Sequence, residues 1–134
     1  MPTIYSKYTG NLRTKAVHVK SGNAIITDAP LDNNGKGEAF SPTDLVSAAL
    51  GSCMMTMMGI YARKAKLDLK GLEMEITKHM ADKPRKISAI DILFQWNDPQ
   101  GSPKQISELK HIARTCPVAL SLNESLHQNI VFDF

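Results

Sequence analysis

Two cysteines, Cys53 and Cys116, are the residues of this chain with the clearest capacity for chemistry. A thiolate that attacks a peroxide becomes a sulfenic acid, a second thiol condenses with that acid to a disulfide, and an external dithiol reduces the disulfide again. The pair can therefore carry a closed redox cycle if the fold brings the thiols together, which no rule of sequence establishes. The alternative for each cysteine is an inert thiol that packs as a small hydrophobic side chain.

The surroundings of the two cysteines differ. Cys116 stands directly before Pro117, at the predicted N-cap of a short helix, where backbone N–H groups and the helix dipole stabilise a thiolate. This position predicts a reactive thiol. Cys53 lies in the middle of an apolar helix, where burial opposes ionisation, so a thiolate there needs a positive partner. Arg13 is a candidate for that partner and for orienting a peroxide, and the alternative is a solvated surface charge.

Metal and cofactor chemistry is not expected. The histidines are dispersed without ligand spacing, and neither cysteine belongs to a Cys-x-x-Cys pair, so we predict no metal site and no cofactor. A Cys-dependent hydrolase stays open as a third hypothesis, because a histidine needs only to lie near a cysteine in space. The histidines in question are His18, His79, His111 and His127.

The composition is that of an ordinary globular chain. Of the 134 residues, 43% are hydrophobic and 22% are charged, and the net charge is +3. The length predicts a single domain over 1–134, and so weak and mixed a charge argues against a nucleic-acid partner. Two cysteines cannot form the disulfide framework of small secreted proteins, and the N-terminal residues lack the apolar stretch of a signal peptide. A cytoplasmic location is therefore expected.

One apolar stretch, residues 45–62, carries no charge and has the length of a short membrane span. Serine, threonine and glycine residues interrupt it, and Asp44 and Arg63 stand at its ends. The other elements are amphipathic and need an apolar partner. The stretch is therefore predicted to be the central helix of a globular or dimeric core, and no membrane partner is expected.

Hydrophobic period and cap chemistry predict the elements of the first half. Short strands are expected near the N-terminus, over 15–20 and 24–27, with a Ser-Gly-Asn turn between them. Residues 30–37 have loop composition. Ser41-Pro42-Thr43-Asp44 has the chemistry of a helix start with a capping box, and the helix is predicted to run from there to Lys64 or Lys66.

The second half alternates strands and helices. Strands over 69–80 and 87–96 are predicted to form a hairpin, because each alternates apolar and polar residues. A helix starts at Ser102 and is interrupted at Cys116-Pro117, and a short helix over 118–122 follows. A final strand is predicted over 128–134. This order of elements predicts an α+β fold.

Two segments resemble the motifs of a known family. The segment Gly37–Cys53, with Ser41-Pro42-Thr43-Asp44-Leu45 and the following alanines, resembles the Asn-Pro-Glu-x-Leu-x-x-Ala…Cys segment of the OsmC/Ohr family. Cys116-Pro117-Val118 with the later Ser121 resembles its second motif, Cys-Pro-(Val/Ile)-Ser. The order of elements resembles that of the family over almost the whole chain. Within the family, the pattern resembles the OsmC-like branch more than the dedicated Ohr enzymes.

The resemblance implies an OsmC-like fold, with antiparallel sheets packed on a long central helix in an intertwined homodimer. It implies a thiol-dependent peroxidase that reduces organic hydroperoxides in oxidative-stress defence. In that role Cys53 attacks the peroxide, Cys116 resolves the sulfenic acid, and Arg13 resembles the arginine beside the reactive thiol. A cellular dithiol is the implied reductant.

The chain departs from the family pattern at one position. The glutamate that holds the family's arginine falls on Thr43 here. The adjacent Asp44 is explained by the capping box, and Glu38 is a possible substitute from the loop. Because of this departure, the alternative function is a non-enzymatic dimeric binding module that holds a small apolar ligand and has vestigial thiols. The methionine-rich stretch after Cys53 suits an apolar pocket, although it equally suits core packing.

Overall fold

An antiparallel meander of three strands opens the chain. The computed structural model describes all residues, 1–134. Strands β1 (Ile4–Gly10), β2 (Arg13–His18) and β3 (Ala24–Asp28) form a sheet in the order β1-β2-β3. Asn11 and Leu12 join the first two strands with positive φ angles of 54° and 61°, as a two-residue hairpin turn requires. The two predicted strands of this region are thus confirmed.

The chain divides into two compact units, Met1–Val46 and Ser47–Phe134. This division does not test whether the two units fold as one domain, so the single domain over 1–134 remains a prediction. The loop predicted over 30–37 belongs to the first unit and contains one turn of 3-10 helix, Leu31–Asn33.

Helix α1 spans Pro42–Ala65, as predicted from its cap chemistry. The Ser41 hydroxyl accepts a hydrogen bond from the Asp44 N–H at 3.0 Å, and the Asp44 carboxylate accepts one from the Ser41 N–H at 3.0 Å. Each side chain thereby satisfies a backbone donor that the first helical turn leaves unpaired. The capping box is confirmed, and it gives Asp44 a structural role.

Helix α1 is long and apolar enough to cross a membrane by length and composition, a test that core helices of globular proteins also pass. Its buried side chains include Leu50, Met54 and Met58, spaced four residues apart along one face. That face packs in the hydrophobic core of the second unit. The methionines after Cys53 thus serve packing, at least at these two positions.

A mixed three-stranded sheet forms the second unit together with the helices. Strands β4 (Glu73–Ala81) and β5 (Lys86–Gln95) pair antiparallel, and β6 (His127–Asp133) lies parallel to β5. The α+β class is confirmed, but the expectation of antiparallel sheets needs correction at β6. A parallel pair cannot be joined by a tight turn, and here helices α2 (Pro103–Arg114) and α3 (Pro117–Ser121) form the crossover.

The strand predicted to begin at Leu69 begins only at Glu73. The Leu72 N–H donates to the Leu69 carbonyl at 2.9 Å, and Gly71 between them has a φ of 86°. These residues form a tight turn that an extended strand cannot contain. Beyond the turn the predicted alternation holds, since the even-numbered residues from Met74 onward are more buried than their neighbours.

Strand β5 and the C-terminal residues supply much of the core. Ile90, Ile92, Phe94 and Trp96 are all buried, as predicted. The Phe94 ring stacks on Phe132 with centroids 5.2 Å apart. A side chain at Gly51 of α1 would place its Cβ 2.6 Å from Ile76 Cδ1, so a glycine permits the close approach of this helix to the sheet.

Helix α2 ends where the second cysteine begins a new helix. Ser102 caps its start: the Ser102 hydroxyl accepts from the Gln105 N–H at 3.2 Å, and Gln105 Oε1 accepts from the Ser102 N–H at 2.9 Å. Cys116 is the N-cap of α3, which begins at Pro117, one residue before the predicted start. The position of Cys116 therefore depends on the residues at which α2 begins and ends.

The capping box of α2 gives a direct test of this dependence. We expect Ser102→Ala to lower the free energy of unfolding by about 1 kcal/mol, because a helix N–H loses its acceptor. The matched variant Ser107→Ala, at an exposed serine inside the same helix, should leave stability unchanged or raise it by about 0.5 kcal/mol. Chemical denaturation of both variants measures the difference, and equal stabilities would contradict the role of the cap.

Candidate functional site

The structure brings the two cysteines together. Cys53 lies on α1 and Cys116 at the N-cap of α3, both in the second unit. Both are free thiols, and the Cys53 side chain lies close enough to Cys116 to raise the pKa of that thiol. Two cysteines far apart in sequence therefore lie beside each other, which is the arrangement that a redox pair requires.

The two thiols differ in exposure. Cys116 is fully buried, with 0% of its surface exposed, whereas Cys53 is half-buried. Cys53 lies three residues after Leu50 and one before Met54, at the edge of the buried face of α1. Of the two cysteines, only Cys53 therefore has surface exposed to solvent.

Burial opposes the effect of the N-cap position from which the reactivity of Cys116 is predicted. Burial raises the pKa of the Cys116 thiol above its ordinary value, because a thiolate loses its hydration there. The Ala119 N–H donates to the sulfur at 3.4 Å and lowers the pKa, as expected at an N-cap. The neighbouring Cys53 side chain also raises the pKa of Cys116. Burial outweighs the helix N-terminus, and Cys116 is held as a protonated thiol.

Arg13 belongs to the first unit, where it is not a solvated surface charge. Its Nε donates to Asp28 Oδ1 at 2.7 Å, and its Nη2 donates to Asp28 Oδ2 at 2.8 Å. The two residues are directly paired across strands β2 and β3. The guanidinium and carboxylate thus form a two-bond fork, the geometry in which an arginine is held most firmly.

Asp28 is a buried carboxylate with only strong donors around it. Its side chain is 1% exposed, and it also accepts a hydrogen bond from the Glu38 N–H at 3.1 Å. The hydrogen bonds from Arg13 lower the pKa of Asp28 and outweigh burial, which raises it. The same bonds raise the pKa of Arg13. Both groups therefore stay charged under all ordinary conditions.

The other carboxylates near the arginine have smaller roles. The Glu38 carboxylate lies 3.6 Å from Arg13 Nη2, and its side chain is 63% exposed, so the interaction is weak. Asp44 is engaged in the helix cap. Sequence reasoning considered these two residues and missed Asp28. A hairpin that turns at the predicted residues 21–23 would pair Arg13 with Leu31, whereas the observed register pairs Arg13 with Asp28.

The remaining polar features are separate from the thiols. No group of three or more His, Cys, Asp or Glu side chains in the structure could hold a metal ion. His79 Nε2 lies 2.7 Å from Asp91 Oδ2, and His18 Nδ1 lies 2.6 Å from the Ser21 hydroxyl. A cleft of about 520 Å³ is lined by polar and charged residues, namely Asp68, Lys70, Gly71, Glu73, Gln95, Asn97, Asp98 and Gln100. It is not the apolar pocket that a hydrophobic ligand would need.

The chain is similar to known structures over its whole length. A crystal structure of a candidate osmotic stress induced and detoxification response protein from Psychrobacter arcticus 273-4 is 45% identical, with a TM-score of 0.93 over 98% of this chain and 96% of that chain. An OsmC-like protein from Mycoplasma pneumoniae is 18% identical, with a TM-score of 0.77 over 96% of this chain and 93% of that chain.

An organic hydroperoxide resistance protein from Legionella pneumophila is 16% identical, with a TM-score of 0.74 over 100% of this chain and 98% of that chain. At this identity the likeness concerns the fold alone. No curated protein matches the sequence. The sequence model described as OsmC-like protein matches residues 35–130, which include α1, both cysteines and most of the mixed sheet. The chain therefore belongs to the OsmC family.

Proposed function

We propose that this protein is a thiol peroxidase that reduces organic hydroperoxides through Cys53 and Cys116. The observation that carries the proposal is the contact between one half-exposed and one buried thiol, the only two cysteines of the chain. Family membership and the hydroperoxide resistance proteins among the structures of the same fold give the substrate class.

In the first step the Cys53 thiolate attacks the terminal oxygen of the hydroperoxide. The O–O bond breaks, the alkoxide leaves and takes a proton to become an alcohol, and the sulfur is oxidised to a sulfenic acid. We assign this role to Cys53 because it is the less buried of the two cysteines. Cys116 is unsuited to it, because burial keeps that sulfur protonated and out of reach.

In the second step Cys116 resolves the sulfenic acid. Its sulfur attacks the Cys53 sulfur, a disulfide forms and the hydroxyl leaves as water with the Cys116 proton. The proximity of the two side chains supports this step, because a disulfide needs the sulfurs to approach to about 2.05 Å. A dithiol reductant then returns the pair to two thiols, which suits a cytoplasmic protein.

Arg13 completes the proposed mechanism as the positive group that stabilises the Cys53 thiolate and orients the peroxide. A guanidinium suits both tasks, since it is always charged and presents several donors in one plane. Asp28 accepts hydrogen bonds from Nε and Nη2 of this group, so the fork with Asp28 does not use Nη1. The alternative function, a binding module for an apolar ligand, gains no support from the polar cleft described above.

We further propose that the protein is a homodimer. Of the apolar window of α1, only 33% is buried within one chain. Large apolar side chains are also exposed on the three-stranded sheet and on α1, among them Ile4, Tyr5, Tyr8, Ile25, Ile26 and Ile60. Apolar surface on this scale is typical of a protein interface.

The difference in exposure predicts the order in which the thiols react. We expect iodoacetamide to modify Cys53 at least about tenfold faster than Cys116 in the native protein, because alkylation needs an accessible thiolate. Peptide mapping by mass spectrometry assigns the adducts, and the unfolded protein is the control, in which both should react at similar rates. Faster modification of Cys116 in the native state would assign the attacking role to the other sulfur.

Peroxide selectivity tests the substrate class. We expect cumene hydroperoxide to consume both thiols faster than hydrogen peroxide does, and the intact mass to fall by that of two hydrogen atoms as the disulfide forms. Cys53→Ser should abolish the fast phase. Arg13→Ala should slow it while the protein stays folded, and an unchanged rate would remove Arg13 from the mechanism. Slow oxidation by both peroxides in the unaltered protein would favour the binding module instead.

Oligomeric state is tested by sedimentation equilibrium of the purified protein. We expect the mass of two chains, about twice the 14.8 kDa of one, because a monomer would leave the apolar residues of α1 in water. A single-chain mass at micromolar concentration would contradict the dimer.

A further inference from the structure

Asp28 is the only buried charged residue of the chain, since the other buried polar side chains are Thr27, Ser41 and Ser47. A buried charge is costly unless it is paired and hydrogen-bonded, and Asp28 meets three donors: two from Arg13 and the Glu38 N–H. The bulk of Arg13 is less enclosed, with 30% of its side chain exposed. The pair therefore has a fixed, buried half and an accessible half.

We propose that Asp28 is a positioning residue, which holds the Arg13 guanidinium in one orientation for the peroxide and so takes over the task of the family glutamate that Thr43 replaces. The inference rests on the proposed function, because Arg13 must first matter for peroxide reduction. Asp28 performs the task from strand β3, directly opposite Arg13, whereas the segment that carries Thr43 starts α1. In this chain the carboxylate that binds the arginine therefore lies on β3 and not at the start of α1.

Two other roles for Asp28 give different results. If Asp28 only balanced the charge of Arg13, removing its charge would raise the positive potential and leave oxidation of Cys53 unchanged or faster. If Asp28 only stabilised the sheet, another substitution that destabilised the β2–β3 pair equally would slow oxidation of Cys53 as much as the loss of Asp28 does. A positioning role predicts slower oxidation in spite of the added positive charge, because an untethered arginine spends less time in the reactive orientation.

The experiment compares full-length variants by stopped-flow oxidation of Cys53 with cumene hydroperoxide, alkylation with iodoacetamide and thermal unfolding. Asp28→Asn should oxidise at least about tenfold more slowly, because the amide cannot provide the charged two-oxygen acceptor that fixes the guanidinium. Its alkylation rate, which needs no oriented peroxide, should change far less. Asp28→Glu keeps the charge but displaces it, and should oxidise at an intermediate rate.

Thr14→Val is the matched control for stability. Thr14 and Thr27 form a side-chain hydrogen bond in the next rung of the same strand pair, and this variant weakens the sheet without touching the fork. It should oxidise at the rate of the unaltered protein. The double variant Arg13→Ala with Asp28→Asn should be no slower than Arg13→Ala alone, because Asp28 acts through the arginine.

Several results would overturn the inference. A normal or faster rate in Asp28→Asn, a slow rate in Thr14→Val, or an additive loss in the double variant would each contradict positioning. If Asp28→Asn does not fold, a normal rate in folded Asp28→Glu would contradict it as well. If Arg13→Ala itself reacts as fast as the unaltered protein, the arginine step of the proposed function fails and the inference fails with it. A slow Arg13→Ala with a fast Asp28→Asn rejects the inference alone.

Discussion

The packing of one face of α1 in the core of the second unit is the constraint on which the candidate site depends. Leu50, Met54 and Met58 line that face, and buried residues of β5 belong to the same core. Gly51 lets the helix come closer to β4 than any side chain would allow. Cys53 lies at the edge of the packed face, so the same contacts that build the core bring its sulfur to Cys116.

Asp28 in the first unit and Cys116 in the second are both buried ionisable groups, and their surroundings act in opposite ways. Asp28 has a guanidinium and a backbone N–H beside it, and these outweigh the cost of burial, so the carboxylate stays charged. Cys116 has only weak backbone donors and the sulfur of Cys53, so burial prevails and the thiol stays protonated. An attacking thiol must ionise, whereas a resolving thiol brings its own proton to the water that leaves. These surroundings suit the roles that we propose, with Cys53 as the attacking thiol and Cys116 as the resolving one.

Local rules predicted much of this fold. Capping chemistry located both helix starts, at Ser41 and Ser102, because a cap is a short-range hydrogen-bond pattern written in adjacent residues. Period-two alternation located β4 and β5 for the same reason. The parallel position of β6 was missed, because it depends on the path of a crossover and not on the residues of the strand itself.

The site was less predictable because its contacts are long-range. That Cys53 meets Cys116 is a result of packing, and nothing near either residue encodes it. The reactivity predicted for Cys116 rests on the N-cap, which is visible in the sequence, whereas the burial that opposes ionisation there is not. Asp28 was overlooked because a hairpin that turns at 21–23 pairs Arg13 with Leu31, whereas the observed register pairs Arg13 with Asp28. A hairpin register inferred from a sequence is only as accurate as the position of its turn.

The most direct test of the redox pair is to trap the sulfenic acid. The Cys116→Ser variant, treated with one equivalent of cumene hydroperoxide in the presence of dimedone, cannot form the disulfide and must keep the oxidised sulfur exposed to the trap. Peptide mapping by mass spectrometry should find the dimedone adduct on Cys53, and the unaltered protein should show a Cys53–Cys116 disulfide instead. Absence of the adduct in the variant, together with intact thiols in the unaltered protein, would contradict the peroxidase assignment.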